Sequence, residues 1–257
     1  MERLFPKMYD RPEARPVGVG AVYWFVFLII LPTLLFRYYL PFSFEGDYAL
    51  FSWISIVYYA INFVVVFLLF RGYLADSFLN VRLEKTRFAV TVAIASVALL
   101  LVLDLLSMLA FLTDSVSLAE SLVYISPFAE LPMWIPAGIM VEFLPFWGTL
   151  CLITIVPVTM CCLYYGVVFA PICVDRPWLG YLAIVLLSAV PRVVGVGSAG
   201  LPMEQLVLFL IQLPWHLIAC WSYQKSDTIW APIGVYSAVN LVCSLRMITA
   251  MLLATQI

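Results

Sequence analysis

Residues 88–113 read FAVTVAIASVALLLVLDLLSMLAFLT, a long apolar run whose one ionisable side chain is Asp104. Wound as a helix at about 1.5 Å per residue, it outreaches a hydrocarbon core about 30 Å thick. Barrel strands would instead alternate polar and apolar residues over about ten positions, and this run does not alternate. Lipid offers the backbone no hydrogen-bond partners, so the segment reads as a transmembrane α-helix that satisfies its own amides.

Outward from this run the pattern recurs near 18–40, 50–70, 144–173, 179–194, 203–223 and 229–254. The fold class is therefore all-α, a polytopic bundle of seven spans, or eight if residues 115–143 also cross. Composition agrees. The chain is 65% hydrophobic and 11% charged, whereas soluble domains are about 45–50% apolar and about 25% charged. That excess has to face lipid. A net charge of −2 gives no support for a nucleic-acid partner. The first run is too long for a signal peptide, whose apolar region spans about 7–15 residues, and it lacks a small-residue cleavage site. Residues 1–17 thus read as a cytoplasmic segment and 18–254 as one transmembrane domain.

Positive charge sets the orientation, because basic loops stay cytoplasmic. Arg3, Lys7, Arg11 and Arg15 precede the first span. Arg71, Arg82, Lys85 and Arg87 follow the second, Arg176 the fourth and Lys225 the sixth. In a seven-span chain all of these fall on one side, which makes the N-terminus cytoplasmic in a multi-pass cell-membrane protein. The opposite loops hold Glu45, Asp47, Asp114, Glu120 and Glu130. Residues 115–143 are apolar but broken by Pro127, Pro132 and Pro136. They read as an interfacial or re-entrant helix on the outer face, since a full span there would invert Arg176 and Lys225.

Polar residues inside spans are costly and turn toward the bundle interior. Ser96, Asp104 and Ser107 fall on one face of the third span. Ser188 and Arg192 are four apart in the fifth, Gln205, Gln212 and His216 share a face of the sixth, and Tyr236, Asn240 and Ser244 form a stripe on the seventh. These stripes suggest a common polar centre, either interhelical hydrogen bonding or a functional cavity. Asp104 and Arg192 lie at similar depth and are expected to pair. Six cysteines lie in apolar segments without a C-x-x-C spacing, reading as small packing residues. His216 is the only histidine, and no ligand set for a metal is evident, so no metal or cofactor is expected.

The segment YQKSDTIWAPIGVYSAVNLV (223–242) resembles the last motif of the CPBP family, the CAAX prenyl endopeptidase and bacteriocin-processing (Abi-type) membrane proteins. That motif reads like S-I-W-A-P-I-x-x-H-x-x-x-N. Asn240 matches its Asn, and Tyr236 stands at its His. The segment VPVTMCCLYYGVVF (156–169) resembles the helix of the family's E-E-x-x-x-R motif. Met160 and Cys161 stand at the Glu positions, Tyr165 at the Arg, and Gly166 at the Gly that follows. In LLSAVPRVVG (186–195), Pro191 and Gly195 occupy the ends of an F-x-x-x-H motif. The resemblance covers about residues 145–245 and implies a bacterial membrane-peptidase scaffold.

What is missing decides the chemistry the resemblance implies. Family members activate water with the first Glu and stabilise the oxyanion with the His and Asn. Hydrolysis needs a proton acceptor and donors aimed at the developing charge, and Met160 and Gly195 provide no such side chains. The expectation is a non-catalytic pseudoprotease with no catalytic residues, serving as scaffold, peptide-binding protein or accessory subunit. Its degenerate motif positions are Met160, Cys161, Tyr165, Gly195, Tyr236 and Asn240. A cleft would be lined by Cys161, Tyr165, His216, Tyr236 and Asn240. Expected partners are the bilayer and either another membrane protein or a hydrophobic or lipidated peptide. Two alternatives stay open. One is a small-solute or ion transporter, or its accessory, using Asp104, Arg192 and Glu204. The other is an active peptidase with Cys161 or Cys162 as nucleophile and His216 as base.

Overall fold

The computed structural model describes residues 8–30, 47–112, 141–195 and 202–254. The outer-face helix expected over 115–143 lies almost wholly outside these residues, as does the end of the first run, 31–40. Among the described residues the long elements are all helical. We label them α1 (14–30), α2 (Tyr48–Leu83), α3 (Lys85–Leu112), α4 (Pro145–Cys173), α5 (Pro177–Gly195), α6 (Pro202–Ser226) and α7 (Trp230–Ala254). Among the described residues, four helices are long and apolar enough to cross a membrane: Ser52–Leu83, Lys85–Leu105, Pro145–Cys173 and Trp230–Leu253. These establish a multi-pass, membrane-embedded helical protein.

Asp47 starts α2 by accepting a hydrogen bond from the Leu50 amide at 3.0 Å, which satisfies one of the donors that a helix N-terminus leaves open. α2 then runs without interruption to Leu83. At about 1.5 Å per residue its 36 residues greatly exceed a bilayer core. The stretch 71–87, expected as a loop, is instead helical: 71–83 extend α2 and 85–87 open α3. Only Glu84 separates the two helices. The reason is local: 71–83 contains no proline and only one glycine, Gly72.

α4 is the hub. Within its most apolar window 78% of residues are buried, against 22–33% for the other three candidate spans. It also departs most from regular α geometry, with π-helical turns over Cys151–Ile155 and Cys161–Phe169. α1 lies against it at close range. A methyl group added at Gly20 would come within 2.7 Å of Val167 and 3.0 Å of Phe70, so glycine is what lets α1, α2 and α4 meet.

The ends of the helices sort by charge. The segment before α1, the α2–α3 junction and the α6–α7 turn lie together. Arg87 donates to the Lys225 carbonyl at 2.7 Å, and Tyr9 and Asp10 reach Asp227. This is the basic end of the bundle.

Candidate functional site

The site begins with a backbone defect in α4. In the π turn over 151–155, amides bond back five residues, and the Val156 amide donates to the Cys151 carbonyl. The next amide in that register would serve Leu152, but it belongs to Pro157, which has no N–H. The Leu152 carbonyl is thus left open in the core, where an unpaired acceptor costs about 1–3 kcal/mol. Asn240 closes the gap, its side-chain amide donating to Leu152 O at 2.8 Å. Asn240 is itself buried, on the same face of α7 as Tyr236 and Ser244. The Tyr236–Asn240–Ser244 stripe therefore faces inward as expected.

Nearer the basic end, the second π turn of α4 presents Tyr165. Its hydroxyl lies 3.0 Å from His216 Nδ1 on α6 and is also hydrogen-bonded to the Tyr236 hydroxyl on α7. Trp215 stacks on the Tyr236 ring, with centroids 5.5 Å apart and an interplanar angle of 4°. Tyr165 also stacks on Tyr236, with centroids 6.2 Å apart. Pro214, inside α6, removes one helical hydrogen bond just before Trp215 and His216. Three helices thus contribute one hydrogen-bonded group: Tyr165 from α4, His216 from α6, Tyr236 from α7.

Tyr165, His216 and Tyr236 therefore converge, and Asn240 lies one turn along α7 from Tyr236. Together they form a packed centre and not an open cleft. Tyr165 is 1% exposed, Tyr236 and Asn240 2%, His216 4%. The aromatic rings pack against one another; the Tyr165 and Tyr236 hydroxyls and His216 bond one another and Asn240 bonds the backbone, while the Trp215 indole N–H is buried without a hydrogen-bond partner. Met160 and Cys161, at the two positions of the glutamate pair, are buried among the same helices. Cys161 and Cys162 are both completely buried free thiols. Nδ1 of His216, the base a thiol nucleophile would need, faces the Tyr165 hydroxyl. Gly195 is the last residue of α5, at the edge of the described residues. The side-chain positions of Arg192, Ser188, Glu204, Gln205, Gln212 and Ser107 lie outside the description.

Asp104 behaves differently from expectation. Its carboxylate is gripped by Arg246 on α7, with Nη1 to Oδ1 at 2.6 Å and Nη2 to Oδ2 at 3.3 Å. The side chain of Arg192, the expected partner, lies outside the described residues. Both side chains of the observed pair are about half exposed, so Asp104 sits at the bundle's edge and not in a shared polar centre. The reason is geometric. α3 and α7 both start at the basic end, and Asp104 and Arg246 lie 19 and 16 residues along them, hence at nearly equal height. Eight positions from the buried Ser96, Asp104 has rotated about 80° away from the core.

Sequence reasoning did not find Trp215, which packs the centre, or Leu152, whose carbonyl Asn240 serves. The only signal for Leu152 is a proline five residues later, which matters only once α4 is known to take a π register there. Among the described residues, no group of three or more His, Cys, Asp or Glu is arranged to hold a metal ion. Compared with protein-family models, with curated proteins and with solved structures, the chain matches none.

Proposed function

We propose that this chain is a seven-span membrane protein, N-terminus in the cytoplasm, that retains a CPBP-like scaffold without hydrolytic chemistry and works as a non-catalytic scaffold or accessory membrane subunit. The observation that supports this reading best is the sealed meeting of Tyr165, His216 and Tyr236, with Asn240 one turn along α7. A peptidase needs a proton acceptor, donors aimed at the developing oxyanion, and room for a peptide bond. At this centre the hydroxyls and imidazole engage each other. The one amide side chain serves the Leu152 carbonyl, and the glutamate positions hold Met160 and Cys161. A centre used in this way stiffens the contact of α4, α6 and α7. A membrane partner would then meet the outer surface of the bundle. The clustering of Arg11, Arg82, Lys85, Arg87 and Lys225 toward one end supports the orientation.

The test is turnover. The full chain in proteoliposomes, given a farnesylated CAAX peptide or a bacteriocin-type leader peptide, is expected to leave both intact by mass spectrometry. Cleavage that disappears in Tyr165→Phe or Asn240→Ala would sink the proposal. So would an ion-gradient-dependent current across the same vesicles, which a scaffold does not produce.

A further inference from the structure

Residues 8–13 are not helical, yet they are held across the basic end of the bundle by a dense set of contacts. Met8 is 3% exposed and Pro12 is buried. Asp227, in the α6–α7 turn with a left-handed backbone (φ 52°), accepts from the amides of Tyr9 at 2.7 Å and Asp10 at 2.9 Å through one carboxylate oxygen. Asp10 Oδ2 in turn accepts from Ser77 Oγ at 2.8 Å, the Ile229 amide at 3.0 Å and Tyr73 OH at 3.2 Å. The Tyr223 hydroxyl, also bonded to Tyr73, donates to the Asp10 carbonyl at 3.0 Å. Ile229 immediately precedes α7. Asp10 therefore fills an open donor at the start of α7, as an N-cap residue does, from a position 219 residues away. One short segment ties the ends of α2, α6 and α7 together.

The ionisable groups around Asp10 are Tyr73 from α2, Cys162 from α4, Tyr223 from α6 and Asp227 from the turn. Of these only Asp227 is ordinarily charged at neutral pH, and its charge is negative. We propose that residues 8–12 are a proton-sensitive strap, whose docking on α2, α6 and α7 tightens when Asp10 takes up a proton and loosens when Asp10 ionises, with Asp227 as the latch. Burial pushes the Asp10 carboxyl from 3.8 up to about 6, and Asp227 adds to the rise. The hydrogen bonds from Ser77, Ile229 and Tyr73 oppose it. The docked carboxyl thus holds its proton to a higher pH than the free one. Docking is strongest below the ordinary value and weakens as pH rises to about 6, by a factor on the order of a hundred.

The strap can be watched in the full chain with a nitroxide on Tyr9→Cys. The Tyr9 side chain is 75% exposed, and only its amide takes part in the latch. The spectrum is read against the labelled parent chain, whose native cysteines are buried or half-buried. In detergent or nanodiscs the mobile fraction is expected to rise between pH 4 and 6. Asp10→Asn keeps an acceptor oxygen but cannot ionise, so it should stay immobile throughout. Asp227→Ala should be mobile at every pH. Ser77→Ala, which removes a donor that holds the carboxylate most strongly, should raise the mobile fraction above pH 6. A pH response that survives in Asp10→Asn would overturn the proposal. So would a Tyr9→Cys spectrum that does not change over the range, or a mobile fraction above pH 6 that Ser77→Ala fails to raise.

Discussion

At the scale of single residues, Asn240 and Pro157 are the two halves of one arrangement. Proline removes the amide that the π register assigns to Leu152, and asparagine supplies a substitute from another helix. Asn240→Ala should therefore lower stability by about 1–3 kcal/mol, the cost of an unpaired buried acceptor. In a Pro157→Ala background the backbone amide is restored, and the same change should cost clearly less. A double-mutant cycle on thermal unfolding in detergent measures the difference; simple additivity would show that the two positions are independent. Tyr165 makes a second residue-scale prediction. Its hydroxyl serves both His216 and Tyr236, so Tyr165→Phe should destabilise by about 1–3 kcal/mol while preserving the ring stack.

At the scale of elements, the contacts of α4 decide the packing. Gly20 is the point where α1 comes closest. Alanine there would gain helix propensity of about 1 kcal/mol, but its methyl would meet Val167 and Phe70, both well inside the core, at 2.7 and 3.0 Å. Overpacking typically costs about 1–3 kcal/mol, so Gly20→Ala should lower the unfolding midpoint, and Gly20→Val should lower it further. Gly18, with nothing near its added methyl, is the control: Gly18→Ala should be neutral or stabilising. The ion pair of Asp104 and Arg246 belongs to this scale too. It links α3 and α7 at one height, and its half-exposed position makes it a fastening at the bundle's edge.

At the scale of the whole molecule, the proposed topology puts the α2–α3 junction in the cytoplasm and the start of α4 outside. Leu83 and Phe146 are exposed at these two ends, at 81% and 69%. A membrane-impermeant thiol reagent applied to intact cells should label Phe146→Cys directly and Leu83→Cys only after permeabilisation. The reverse pattern would invert the orientation.

Helices, their order and the inward stripe of α7 were legible in the sequence. Apolar runs, positive loops and a four-residue period are local properties, and a bilayer turns them into structure without reference to distant residues. Candidate positions 165, 236 and 240 came from a motif resemblance, and 216 from a lone histidine on a polar helix face. Their partners were not legible. Asn240 was expected to line a cleft and serves the Leu152 carbonyl, because the need arises from a π turn that only packing creates. Asp104 pairs with Arg246 because helix rotation and height, which no local pattern encodes, bring those two side chains together. The segment 8–12 joins the start of the chain to its last helix across more than 200 residues. Contacts of that range exist only once every intervening helix is in place, so tertiary structure alone decided them.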